Sequence, residues 1–297
     1  MKRSIISDQI SSSPEEAFSI AREYGYEYVE LHSVSGKTIE TLNAEDTAEV
    51  KRLLKRYDLQ VSNIASTIYF VCPLQESDAA SGFSDSFPVF EGDLKAHLRQ
   101  LKRACEIACE LACGTVRLFP FRFPENRKPP FGDANDLERI NEAMIQASEI
   151  AEPYGITLAV ENCPYSHLPK GEMTLELIQA VNRPNVRLLY DPANSYRAVV
   201  NNVPERYRSW SLETEVRKLA PYIAHVHVKN YHYDPNVQPK PFVHVSAGEG
   251  DIDYRSLLAL LKDSGYEGFC SLEPEVNREE TLASMKWMRE LEGGLFE

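Results

Sequence analysis

The feature that most limits the folds open to this chain is a regular alternation of eight short apolar runs with eight segments of helical periodicity. The runs occupy residues 3–7, 26–32, 59–69, 115–120, 156–163, 186–194, 223–230 and 268–274, and the helical segments 14–25, 44–57, 93–113, 136–154, 174–181, 212–219, 254–264 and 278–290. Alternating strands and helices argue for a parallel sheet, and eight such units argue for closure into a barrel. The expected fold is an α/β (β/α)8 TIM barrel. Such barrels run to about 250 residues as one domain, so residues 1–297 read as a single barrel domain.

The connections are asymmetric. Helix-to-strand turns are short and marked by Gly25, Gly114, Gly155 and Gly265, as a left-handed helix C-cap requires. Strand-to-helix connections are long, at 72–92, 121–135, 192–211 and 231–253. Elaboration is thus confined to the rim at the carboxyl ends of the strands, where barrel enzymes build their sites. A doubly wound sheet is the alternative, but no G-x-G-x-x-G follows the first strand. The G-E-G at Gly248 to Gly250 lacks a third glycine and reads as a turn leading to an N-cap at Asp251 or Asp253.

Four successive runs end on a residue that can bind a metal or move a proton: Glu161, Asp191, His227 and Glu273. Taken singly, Glu161 could be salt-bridged, Asp191 could cap a turn at Pro192, and His227 could be a satisfied core histidine. Their common position favours a shared site. Three carboxylates and one imidazole suit one divalent ion, Mn2+, Mg2+ or Co2+ with Zn2+ open, better than a thiolate set would. Two substrate oxygens on such an ion, a carbonyl and its neighbouring hydroxyl, would make the adjacent C–H acidic and stabilise an enediolate.

With 32 basic and 45 acidic residues the formal net charge is −13, which disfavours nucleic acid and anionic membranes as partners. No apolar run approaches the ~18 residues a membrane span needs. The six cysteines form no disulfide framework; Cys105, Cys109 and Cys113 fall at i, i+4 and i+8 and read as a packing stripe on one helix face rather than a metal motif. A soluble, cytoplasmic protein is expected, with a homo-oligomer left open.

The stretches V-E-N (160–162), Y-D-P-A-N (190–194), H-V-H-V-K-N (225–230) and the segment from G-E-G-D-I-D-Y to C-S-L-E-P (248–274) resemble the sugar phosphate isomerase/epimerase family, with its xylose isomerase-like TIM barrel. A-R-E-Y-G-Y-E-Y-V-E-L (21–31) and L-A-C-G-T-V-R-L-F-P (111–120) are similar to it more weakly, so the resemblance covers nearly the whole chain. It implies a small-molecule carbohydrate substrate and one divalent metal ion on Glu161, Asp191, His227 and Glu273. In the ketose 3-epimerases that the chain resembles, the two glutamates are also the acid/base pair, here Glu161 and Glu273.

The sequence departs from that epimerase pattern around the substrate. His167 stands where a glutamate is expected six residues after Glu161, Asn194 replaces a histidine, Tyr233 an arginine, and Asn230 the acid of H-x-K-D. Free-ketose epimerisation is therefore not transferred. By strand alternation His32 and Lys229 should reach the rim, and Arg117, Asn194 and His167 are further candidates for substrate contact. Arg117 or Arg122 could hold an anionic group, and Phe83, Phe87 and Phe90 could close over a sugar ring.

The leading expectation is a metal-dependent isomerase or epimerase. Dehydration of a keto-polyol, as in inosose dehydratase-like relatives, begins with the same proton removal. An endonuclease IV-like repair enzyme would need more histidine and acidic ligands and a basic face, and a non-catalytic sugar-binding barrel would not need two bases.

Overall fold

The computed structural model describes residues 1–81, 87–128, 133–199, 203–238, 241–291 and 294–296. Its central sheet has eight parallel strands: β1 (Lys2–Ile5), β2 (Tyr28–Leu31), β3 (Gln60–Ile64), β4 (Thr115–Leu118), β5 (Thr157–Glu161), β6 (Val186–Tyr190), β7 (Ile223–Val228) and β8 (Phe269–Leu272). They are bonded in the order β1-β8-β7-β6-β5-β4-β3-β2, and a parallel bridge from Ile6 to Glu30 joins the two ends. Joining the ends makes the sheet a barrel.

Helices α1 (Pro14–Glu23), α2 (Ala44–Arg56), α3 (Leu94–Glu110), α4 (Ala134–Ala151), α5 (Gly171–Val181), α6 (Leu212–Leu219), α7 (Tyr254–Asp263) and α8 (Arg278–Arg289) alternate with the strands. Most start on a side chain that accepts the N3 amide, as Ser13, Asn43, Asp93, Asp133, Ser211, Asp253 and Asn277 do. None of these helices is long and apolar enough to cross a membrane.

The helix ends follow the glycine expectation at three of its four positions: Gly25, Gly155 and Gly265 have φ of 79°, 67° and 85°. Gly114 does not. The chain turns left-handed at Ala112 instead (φ 55°), and the Cys113 amide reaches back to the Ala108 carbonyl at 2.8 Å, the longer bond of a Schellman end. Because α3 stops at Glu110, Cys113 lies beyond it; Cys105 and Cys113 are buried while Cys109 is exposed, so the cysteine stripe is broken.

Outward-facing side chains of the strands, among them Leu158, Val160, Leu188, Val226 and Leu272, are fully buried beneath the helices and make the main core. The inward face is polar. Glu30 on β2 bonds His225 and His227 on β7, and Arg117 on β4 reaches Glu161 on β5 and Glu273 just past β8. The Glu30 contacts with His225 and His227 and the Arg117 contact with Glu273 join strands that are not sheet neighbours, so these groups cross the barrel interior. Three elements decorate the rim: a hairpin of Ser33–Val34 with Lys37–Thr38, a short helix Pro192–Ala198, and a hairpin of Asn230–Tyr233 with Phe242–Val245.

Candidate functional site

Glu161, Asp191, His227 and Glu273 close four consecutive strands, and each offers a ligand atom within 4.8 Å of the others. All four are buried. Their surroundings set which atom each presents. One carboxylate oxygen of Asp191 caps the Pro192–Ala198 helix by accepting the Asn194 amide at 2.9 Å, while its Oδ2 faces the group and pairs with Lys229 Nζ at 3.1 Å. Capping and site membership are thus divided between two oxygens of one residue.

His227 is fixed in the same way. Its Nε2 lies 3.1 Å from Glu30 Oε1, and a carboxylate there requires the ring proton on Nε2. The other nitrogen, Nδ1, is buried without a hydrogen-bond partner among the described residues and lies 3.2 Å from Glu273 Oε2 and 3.8 Å from Glu161 Oε1. Burial opposes charge on the ring, but Glu273 and Glu30 on either side hold it protonated well above its ordinary 6.5. Nδ1 amid three carboxylates is thus a position where a divalent ion can take the place of a proton, and a buried carboxylate behind the ring is the usual support of such a ligand. The residues present fit one ion.

Glu30 lay outside the sequence-derived set. It is fully buried, takes Asn63 Nδ2 at 2.8 Å on the oxygen that also meets His227, and meets His225 Nε2 at 2.8 Å on the other. The only signal of it in the sequence is a single acid inside an apolar strand, Y-V-E-L.

Two cations hold the carboxylates together. Arg117 Nη1 is 3.1 Å from Glu161 and 3.5 Å from Glu273, and its remaining donors go to the Ser66 and Ala65 carbonyls at 3.1 and 3.0 Å. Lys229 Nζ bonds Glu273 at 2.7 Å and Glu275 at 3.2 Å and pairs with Asp191 at 3.1 Å. Asn194 Nδ2 donates to Glu161 at 3.1 Å. Burial pushes the Glu161 carboxyl up to about 7, with Arg117 opposing and Glu273 adding. Burial also opposes charge on Glu273, but Lys229 and His227 outweigh it and hold that carboxyl well below the usual range. Without an ion, the surroundings of the two glutamates thus push them in opposite directions.

Glu161, Glu273, Arg117, Lys229 and Asn194 open into a cavity of about 610 Å3, lined also by Phe70, Phe87, Phe119 and Tyr165, with Asp191 and His227 behind this lining. His32 sits beside it, bonded to Asp8 at 2.7 Å and stacked on Phe87 at 4.6 Å. His167 is not brought to this group. It is fully buried beneath the loops against Phe123, with Nδ1 3.3 Å from Asp136, an acid from the first turn of α4. Arg122 pairs with Glu125 at 2.9 Å and Phe90 packs edge-on against His97, so neither lines the cavity; Phe83 lies outside the described residues. Arg117, offered as an anion holder, spends its donors on the two glutamates and the backbone.

Asn230, which replaces an acid in the H-x-K-D pattern, works as a staple. Its side chain donates to the Ala247 and Ile252 carbonyls and accepts the Ile252 amide, at 2.9 to 3.1 Å, holding the turn around Gly250. A Cβ at Gly250 would fall 2.2 Å from the Asn230 amide, which is why the G-E-G turn needs glycine there.

Residues 18–291 match the family model described as xylose isomerase-like TIM barrel. An inosose isomerase of Bacillus licheniformis is 28% identical over 153 residues, covering 49% of this chain and 51% of that protein. The chain spans about half the length, or less, of the curated relatives it matches. Among solved structures, a probable 3-DHS dehydratase from Bacillus anthracis superposes with a TM-score of 0.70 at 17% identity, over 97% of this chain and 98% of that one. D-Allulose 3-epimerase from Methylomonas sp. superposes at 0.67 and 17%, over 97% and 96%. At these identities the structural likeness is one of fold.

Proposed function

Because the chain belongs to the xylose isomerase-like TIM barrel family, we propose that its cavity is the active site of a metal-dependent isomerase or epimerase of a sugar or sugar derivative, working by proton transfer at a carbon beside a carbonyl. The observation that carries this reading is the glutamate pair, two buried carboxylates bridged by one arginine at the rim of the cavity. Binding a sugar does not need such a pair; moving a proton does.

A divalent ion held by Glu161, Asp191, His227 and Glu273 would polarise the carbonyl and stabilise charge developing beside it. Glu273, paired with Lys229, takes the proton from carbon. Glu161, oriented by Asn194 and Arg117, returns one to the opposite face. Phe70, Phe87 and Phe119 exclude water from the apolar face of the ligand. Elimination of water from a keto-polyol is the second reading. It is supported by the fold shared with the 3-DHS dehydratase and uses the same first proton removal.

The test is to incubate the Mn2+-loaded protein in D2O with ketoses, their phosphates, keto-inositols and 3-keto sugars, and to follow carbon-bound protons by NMR. Exchange that disappears in Glu161→Gln and Glu273→Gln is expected, and the exchanging position separates isomerisation, epimerisation and elimination. Ligands that bind without exchanging any carbon-bound proton would replace this reading with a sugar-binding barrel.

A further inference from the structure

The cavity wall carries four carboxylates, Asp8, Glu161, Glu273 and Glu275. Each already has a basic partner: Asp8 has His32 at 2.7 Å, Glu161 has Arg117 at 3.1 Å, Glu273 has Lys229 at 2.7 Å, and Glu275 has Lys229 and His244 at 3.2 and 3.4 Å. Arg197 lines the same cavity and is different. Among the described residues no carboxylate lies within ion-pair distance of it. Its neighbours are neutral: Nη2 donates to the Tyr165 hydroxyl at 2.9 Å, and the guanidinium lies over the rings of Tyr165, Tyr231 and Phe242 at 4.9, 6.0 and 6.0 Å. Its Nε is buried and has no hydrogen-bond partner among the described residues.

A buried guanidinium donor without an acceptor is costly to keep unless something supplies the acceptor. Aromatic rings flanking the guanidinium fix its plane and leave its edge for a forked acceptor. Arg197 also stands one helical turn from Asn194 on the Pro192–Ala198 helix, so the two are neighbours on one face and roughly 4.5 Å apart along the axis. Asn194 touches Glu161. A ligand whose reacting carbon lies at the glutamates would therefore extend toward Arg197 within a few bonds.

We propose that Arg197 determines substrate class by binding an anionic substituent, a carboxylate or a phosphate monoester, a few carbons from the reacting centre. This rests on the reading of the cavity as the substrate site. It assigns no proton transfer to Arg197, which is a specificity residue. Lysine at this position would keep the charge but lose the fork.

The test uses the Mg2+-loaded protein titrated calorimetrically with inorganic phosphate and, separately, with succinate. One of the two is expected to bind, at least tenfold more weakly in Arg197→Gln, with Arg197→Lys between; which one names the substituent. Binding of both that is unchanged in Arg197→Gln, or binding of neither to the wild type, overturns the proposal. The D2O exchange assay separates this from the reading beneath it. Arg197→Gln should raise KM for anionic members of the panel with little change in kcat and leave neutral members alone. If exchange occurs on neutral ketoses only and equally in Arg197→Gln, the anion proposal falls and proton transfer stands. If Arg197-dependent anion binding occurs with no exchange on any compound, proton transfer falls and the anion site stands. Unchanged circular dichroism of Arg197→Lys guards against misfolding as the cause.

Discussion

Glu30→Gln tests the claim that the ring of His227 is set for a metal ion by a carboxylate behind it. The substitution keeps shape and removes charge. A glutamine amide can present its oxygen to only one side, and the structure decides which. On the Oε1 side stand two donors, Asn63 Nδ2 at 2.8 Å and His227 Nε2 at 3.1 Å; on the Oε2 side stands one, His225 Nε2 at 2.8 Å. Turning the amide nitrogen toward His227 would set it against two donors. Turning it toward His225 sets it against one, and His225 can escape by moving its proton to Nδ1, which has no partner among the described residues.

Glu30→Gln should therefore leave the His227 lone pair on Nδ1 and cost only the anion behind the ring. Loss of such a partner typically lowers metal affinity 10- to 100-fold, about 1.4–2.7 kcal/mol, and Glu30→Gln should fall at the weak end of that range. Glu30→Leu removes every acceptor, leaves three buried donors unmet at about 1–3 kcal/mol each, and should reach the strong end while lowering Tm. Mn2+ affinity by calorimetry and the His227 tautomer by 15N NMR are the readouts. Affinity unchanged within twofold in both variants, or a proton still on His227 Nδ1 in the Mg2+-loaded wild type, would refute the argument.

Other perturbations follow from single contacts. Arg117→Leu should destabilise by about 3–5 kcal/mol, because it leaves Glu161 and Glu273 buried beside each other without their shared cation; chemical denaturation measures it, and a loss under 1 kcal/mol would contradict it. Ala112→Gly should raise stability by about 1 kcal/mol, since an exposed alanine there holds a left-handed conformation that glycine adopts freely; an unchanged or lower Tm counts against it. The His32 ring is held protonated above its ordinary 6.5, burial opposing and Asp8 overcoming it. The folded state thus binds the extra proton, so this stability is present below about pH 6.5 and lost as pH rises through the raised value; unfolding free energy measured from pH 6 to 9 should decline less steeply in Asp8→Asn. Gly250→Ala should lower Tm by crowding the Asn230 amide, and the loss should shrink in an Asn230→Ala background.

What could be read in advance divides along a physical line. The eight units were legible because caps, apolar period and helix-ending glycines are written within a few residues of where they act. Glu161, Asp191, His227 and Glu273 were legible for the same reason, each standing where a strand gives way to a loop. The support behind them was not. Glu30 meets His225 and His227 from 195 and 197 residues away, a contact that exists only because closure sets β2 across the interior from β7. His167 shows the converse: its place six residues after Glu161 in the epimerase resemblance makes it a candidate for substrate contact, whereas the loops fold it back onto Asp136 and Phe123. Arg117 reads in sequence as a possible holder of a ligand's anionic group, whereas closure of the barrel sets it against two acids of the chain itself.

The polar interior has a consequence for how stability and chemistry are coupled. Apolar burial lies outside the strands, beneath the helices, while inside the barrel charged groups are held close by opposite charges and by backbone carbonyls. Removing one charge there leaves its partners buried and uncompensated, so changes at Arg117 or Glu30 act on folding as well as on the site. Arg197 is outside that balance. Its neighbours are rings and a hydroxyl, and no buried carboxylate among the described residues depends on it. A substitution at Arg197 should therefore alter what the cavity accepts without altering how firmly the barrel holds together, whereas Glu30→Leu changes both.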